Sequence, residues 1–271
     1  MSLNESIPDP HFRRAVELMD AGEVEQLRRH LAAHPGLAAA RVRLDEPRYF
    51  SQPSLLEFIA ENPIRTGRMP PNVVEVARTL VEAGADETSR QRTLGLVASG
   101  RIAREAGQQV ALVEFLCGCG ADPQPALIPA LGHGEFEAVE ALLRAGAKLD
   151  LPTAAATGRA EALRQALPKA STDERHRALA LACQHGQVEA ARLLLEAGED
   201  PNRFNPEGCH AHSTPLHQAV SYGHGEIVEL LLAHGASLNT PDKLWNATPL
   251  GWARHAGRDE LVERLADVNS L

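Results

Sequence analysis

Short apolar blocks of helical period run along the chain, and glycine closes most of them. Ile227, Val228, Leu231 and Leu232 fall at i, i+1, i+4 and i+5, one face of a helix, and Gly235 follows them. The pattern recurs upstream as Val188, Ala191, Leu194 and Leu195 before Gly198, as Leu112, Val113, Leu116 and Cys117 before Gly120, and as Val76, Ala77, Leu80 and Val81 before Gly84. Each block has a shorter apolar partner ahead of it that also ends in glycine: Leu216 and Ala219 before Gly223, Leu179 and Ala182 before Gly186, Leu127 and Ala130 before Gly134. Gly257 follows Gly223 by 34 residues, and Gly186 precedes it by 37. Alternation of period two is nearly absent. This spacing predicts about eight antiparallel helix pairs and minimal sheet.

The clearest unit begins Thr214-Pro215-Leu216-His217-Gln218-Ala219. Thr214 suits an N-cap, because its hydroxyl can accept from an unpaired first-turn amide. Pro215 suits the first helical position, where the missing N–H costs nothing. Gly223 and Gly235 can take positive φ and end the two helices. Thr248-Pro249-Leu250-Gly251-Trp252-Ala253 repeats the motif with glycine in place of histidine. T-P-L-H-x-A at this spacing resembles an ankyrin repeat. The resemblance extends from about residue 11 to 266 and is closest over 174–266. It implies an all-α fold, an α-solenoid of stacked helix-turn-helix pairs forming a single domain over 1–271. Divergent units are expected over 11–124, short central units over 125–173 and regular units over 174–266.

The resemblance further implies that loop fingers and first helices line a concave face that binds a protein partner. Mapping the motif puts Gln218, Tyr222, His185 and Trp252 on that face, with His185, Tyr222 and Trp252 as an aromatic row. Rings of this kind are favoured at binding hot spots. Trp252 also suits a second role, capping the last pair, and both readings stand. The fingers contribute Phe204, His210, His212 and Trp245, and near the N-terminus Tyr49 and Phe50. His217 is expected to hold the turn by hydrogen bonds. The insertion from Pro63 to Asn72, rich in proline and glycine, reads as a surface decoration. The central units leave too few residues between helices for a finger, so fingers are expected near 42–53 and 199–247 only.

Charge and composition narrow the partners. The formal net charge is −9, from 36 acidic and 27 basic residues. No Lys/Arg run suggests a phosphate-tracking surface, so nucleic acid is not an expected partner. The polar start lacks the pattern of a signal peptide, and no apolar run is long enough to span a bilayer. These features predict a cytoplasmic, monomeric protein without membrane contact, and the four cysteines fit a reducing compartment. An Ala-, Arg- and Leu-rich composition hints at a bacterial source.

Twelve histidines raise the question of metal. The densest cluster is Cys209-His210-Ala211-His212, yet the chain has no C-x-x-C and no H-E-x-x-H, and so no metal or cofactor is expected. G-x-S-x-G and a P-loop are also lacking. The expected function is non-enzymatic protein binding. The alternatives are an inhibitor or immunity-type protein that blocks an enzyme, and a metal-dependent sensor or enzyme built on the Cys209–His212 loop.

Overall fold

The computed structural model describes residues 6–44 and 50–268. Their regular elements are all helices, with one isolated antiparallel bridge, Arg41 to Ser54, and no strand among the described residues. The chain divides into two compact units, residues 1–148 and 149–271. No helix of the described residues is long and apolar enough to cross a membrane.

The first unit pairs α1 (Pro10–Asp20) with α2 (Val24–Ala33) and α3 (Leu55–Phe58) with α4 (Val73–Glu82). Then α5 (Glu87–Ala98), with the short α6 (Arg101–Glu105), precedes α7 (Gln109–Gly118), and α8 (Leu127–Gly132) precedes α9 (Phe136–Arg144). Within it α1, α3, α5 and α8 pack in sequence as one layer, and α2, α4, α7 and α9 as another. The second unit pairs α10 (Leu151–Ala156) with α11 (Ala160–Ala166) and α12 (Thr172–Gln184) with α13 (Val188–Glu196). It continues with α14 (Pro215–Tyr222) and α15 (Gly225–Ala233), then α16 (Pro249–His255) and α17 (Asp259–Val268). Here α10, α12, α14 and α16 form the first layer, and α11, α13 and α15 lie together in the second. Each unit is therefore a stack of helix pairs, and the apolar stripes face inward: Leu112, Leu116, Leu194, Ile227 and Leu231 are fully buried. Helix lengths do not set residues 125–173 apart: α8 and α10 have six residues and α11 seven, but α9 has nine, and α16 near the C-terminus also has seven.

First helices and second helices start differently, and the difference builds the stack. Most first helices begin on a short polar side chain that caps its own helix. Asp9, Asp86, Asp150 and Thr248 accept from first-turn amides, and Ser54, Ser171 and Thr214 close capping boxes. The second helices α13 and α15 have no such cap on Gln187 and His224. Those side chains reach the preceding pair instead. A Cβ built on Gly186 would lie 2.9 Å from the His224 ring, and one on Gly158 would lie 2.5 Å from Gln187 Oε1. Arg258 lies over Gly223 in the same way, and Asn72 over Gly22 in the first unit. Three of these side chains also serve carbonyls of the preceding turn. His224 Nε2 bonds to the Gln184 oxygen at 3.0 Å, Arg258 Nε to that of Ser221 at 3.0 Å, and Asn72 Nδ2 to that of Gly22 at 2.8 Å. His224 and Arg258 thereby serve acceptors in the last turns of α12 and α14, where intrahelical partners run out.

The Pro63–Asn72 insertion is anchored, in contrast to the decorative role expected of it. Glu61, itself buried, accepts backbone N–H bonds from Arg65, Thr66 and Gly67 through one oxygen. Arg65 is buried as well, paired with Asp20 at 2.8 Å and Glu61 at 2.7 Å, and its guanidinium lies over Phe58. A proline- and glycine-rich run signals the loop, but the carboxylates that hold its Arg65, those of Asp20 and Glu61, lie outside that run.

The glycine contacts give a direct stability test. Gly186 and Gly235 both hold positive φ, +73° and +83°, but nothing lies within 4 Å of a Cβ on Gly235. Gly235→Ala should cost about 1–2 kcal/mol for the left-handed backbone alone. Gly186→Ala should cost at least about 1 kcal/mol more, because the His224 ring must move. Urea unfolding followed by circular dichroism measures both, and equal losses would mean that the ring contact carries no energy.

Candidate functional site

The last finger of the second unit is built on one carboxylate. Asp242 is buried, and its Oδ1 accepts from the N–H groups of Leu244 at 2.8 Å and Trp245 at 2.7 Å. Its Oδ2 accepts from Ala247 N at 3.1 Å and from Trp252 Nε1 at 2.9 Å. Burial by itself would raise this carboxyl. The donors of Trp245, Trp252, Leu244 and Ala247 outweigh it and hold the pKa down at about 2. The turn so closed, with Asn246 in the left-handed region, turns Leu244 and Trp245 outward, 63% and 66% exposed. One ionised side chain thus fixes the backbone under Trp245 and the ring of Trp252.

His217 ties this finger to the preceding helix pair. Its Nδ1 accepts from the Thr214 amide at 3.2 Å, so the proton sits on Nε2, which donates to the Ala247 carbonyl at 3.1 Å. Burial lowers its pKa and favours the neutral ring. His217 thus holds the turn by hydrogen bonds, with Thr214 as N-cap, Pro215 at the first helical position and Gly223 ending the helix in the left-handed region. Gly235 holds positive φ just beyond α15. His176 makes a comparable bond, Nε2 to the Phe204 carbonyl at 2.8 Å, one turn earlier on α12.

These constraints gather rings. His212 lies 5.3 Å from Trp245 and 5.8 Å from Trp252, and the two tryptophans are 5.9 Å apart. His217 packs edge-on against Trp252 at 5.2 Å, and His210 is 6.0 Å from His212. Beside them lies a pocket of about 510 Å³ lined by Ser221, Trp245, Ala247, Gly251, Trp252 and His255. Tyr222, 47% exposed at the end of α14, stacks on His224. Phe204 is half-buried in the neighbouring finger with Lys243 Nζ over its ring at 4.0 Å. The two fingers meet where the Lys243 amide donates to the His212 carbonyl at 2.8 Å.

The remaining sequence-derived positions separate. Gln218 is buried, and its Nε2 donates to Ser213 Oγ at 2.7 Å. The finger before α14 folds back over it, which removes it from the exposed face assigned to it. Phe50 is also buried, 5.2 Å from Phe58 in the core of the first unit, and offers no surface. Tyr49 lies outside the described residues. His185 is half-buried at the end of α12. The sequence reading missed Leu244 and Asp242. An Asp two and three residues before the amides it serves is a recognisable turn signal, but only the fold shows that Trp252 completes it.

The Cys209–His212 loop does not gather a ligand set. Cys209 is buried 3.7 Å from an Arg177 nitrogen, and its thiol is pushed up by burial, while His212 faces the tryptophans. Among the described residues, three side chains that could hold a metal converge elsewhere, at His11, His30 and His34.

The fold and these turns define a stacked helix-pair repeat protein. Residues 100–205 match the family model of ankyrin repeats in three copies, and residues 179–232 that of ankyrin repeats in many copies. The chain is an ankyrin-repeat protein. Similar curated proteins include human ARF GTPase-activating protein GIT1, 40% identical over 82 residues, which is 30% of this chain and 10% of that protein. Bovine cyclin-dependent kinase 4 inhibitor B is 44% identical over 79 residues, 29% of this chain and 56% of that protein. The matched stretch thus spans about a tenth to just over half of these relatives.

The low pKa of Asp242 sets a pH test. A carboxyl near 2 when folded and about 3.9 when unfolded adds stability that is complete above about pH 4 and is lost as pH falls towards 2. Both tryptophans of the chain sit at this turn, so their emission reports it. Emission of the native protein should change steeply between about pH 4 and pH 2. Asp242→Asn should already show the altered emission at neutral pH. An unchanged spectrum in that variant would mean that the carboxylate does not hold the turn.

Proposed function

We propose that the protein is a non-catalytic interaction module that binds a protein partner through the fingers and first helices of its second unit, the concave face in ankyrin repeats. The exposed Trp245 beside the half-buried Trp252, at the rim of the Ser221–His255 pocket, carries this reading. Trp245 and Leu244 place apolar surface in water although the turn beneath them is fixed by four hydrogen bonds to Asp242. A rigid exposed ring loses little entropy on docking, and tryptophan and tyrosine dominate hot spots. The pocket offers room for apolar side chains of the partner, with Tyr222, His212 and Phe204 as flanking contacts.

Four unpaired cysteines, with Cys183 and Cys209 buried, support a reducing, cytoplasmic setting. A net charge of −9 supports a protein partner over nucleic acid, and we take the protein to act as a monomer. One kind of relative, the cyclin-dependent kinase 4 inhibitor, is by its name an inhibitor, which favours blocking of a partner enzyme as the second reading.

Trp245→Ala should weaken binding by at least about 2 kcal/mol, roughly 30-fold, with the circular dichroism spectrum unchanged. Phe136→Ala, at an exposed ring of the first unit, serves as the control and should leave affinity intact. Partners captured from source cells by the native chain and both variants, then titrated individually, supply the measurement. A partner retained by Trp245→Ala and lost with Phe136→Ala would move the interface to the first unit. Loss of a captured enzyme's activity on complexation would select the inhibitor reading.

A further inference from the structure

The first helix pair carries three histidines that no part of the binding site uses. His30 lies in the last turn of α2, and His34 is the residue that ends that helix. His11 stands in the first turn of antiparallel α1, where Asp9 accepts the His11 amide at 2.8 Å and fixes the backbone. The three rings are in contact. Centroids are 4.0 Å apart for His11 and His34, 4.5 Å for His30 and His34, and 5.9 Å for His11 and His30. One ring nitrogen from each residue lies within 4.8 Å of the other two.

Two of the rings have their tautomers set by backbone. His30 Nε2 is 2.9 Å from the His11 carbonyl, and His34 Nδ1 is 2.8 Å from the His30 carbonyl. A carbonyl can only accept, so each of these nitrogens carries the proton. The second nitrogen of each ring then keeps its lone pair. Imidazole that donates one N–H to a carbonyl while its other nitrogen faces a metal is the usual arrangement of a histidine ligand, since that bond fixes tautomer and ring orientation. Three of the arginines on these helices are engaged elsewhere: Arg14 pairs with Glu17, Arg28 with Glu25, and Arg13 donates to the Ile7 carbonyl.

We propose that His11, His30 and His34 form a divalent transition-metal site, with zinc as its ion. Three neutral imidazoles suit zinc, which accepts nitrogen ligands at about 2.0–2.1 Å with a fourth position left for water or an incoming side chain. Closing three nitrogens around such an ion requires them to approach to about 3.3 Å, a small contraction of side chains that are exposed or half-buried. The metal would cross-link the start of α1 to the end of α2. It would thereby clamp the helix pair whose sequence departs most from the repeat pattern. The spacing His30-x-x-x-His34 is visible in the sequence, but the third ligand lies 19 residues before His30 and is brought in only by antiparallel pairing.

The test is a zinc titration of the untagged full-length chain by calorimetry, with thermal unfolding in the absence and presence of zinc. One equivalent should bind, and the melting transition of the first unit should rise with excess zinc, because only the folded chain assembles the ligands. His11→Ala and His34→Ala should each lower affinity at least tenfold. His11 is exposed, so His11→Ala should melt like the native chain without zinc. Cobalt should give the visible absorption of a nitrogen-bound tetrahedral ion in the native chain and not in His11→Ala. The paired substitution His210→Ala and His212→Ala should change nothing. Failure to bind zinc, affinity unchanged in His11→Ala, or affinity lost in the His210 and His212 variant would overturn the proposal.

Discussion

At Gly158, Gly186 and Gly223 the space that a Cβ would fill is occupied by a side chain of the following helix pair: Gln187, His224 and Arg258. A repeat of two short helices has too little apolar surface to be stable by itself, so its folding depends on such contacts with its neighbour. The device is economical. The glycine supplies positive φ for the turn, and the absent side chain leaves a seat for the next repeat. Two of the three seated side chains also bond to carbonyls at the end of the preceding helix. Backbone geometry within one pair and recognition between pairs are therefore set at the same residue. Asn72 over Gly22 shows the same solution in the divergent first unit.

This explains why the architecture was legible in the sequence and parts of the site were not. The buried stripes and the turn glycines follow from helical period and φ, which are local properties. Leu216, His217 and Gly223 read correctly because their roles are fixed within one repeat and the next turn. Gln218 follows the same motif, yet its exposure depends on how the long finger before it folds, and the Ser213 hydroxyl covers it. Phe50 fails for a similar reason, since burial against Phe58 is a tertiary event that the local sequence does not signal. The insertion at Pro63–Asn72 reads as a loop but not as an anchored one, because Asp20 lies more than forty residues away.

The candidate interface joins these two levels. Asp242 closes the finger by local hydrogen bonds and reaches Trp252 on the next helix, so the exposed Trp245 rests on a framework tied to the stack. His217 adds a second tie between the finger and the preceding pair. Variation at Leu244, Trp245 or Tyr222 would alter what the surface recognises without touching the seats at the glycines. Separation of this kind lets one scaffold carry different partners.

The central claim is that the seat at Gly186 and its occupant His224 act as one unit. A double-mutant cycle tests it: Gly186→Ala, His224→Ala and the combined variant, each measured by urea unfolding at equilibrium. With the ring removed, the three atoms nearest a Cβ at residue 186 are gone, so the glycine substitution should cost at least about 1 kcal/mol less in the His224→Ala background than in the native chain. Costs that add to within about 0.5 kcal/mol would contradict the account, because the two residues would then stabilise the stack independently.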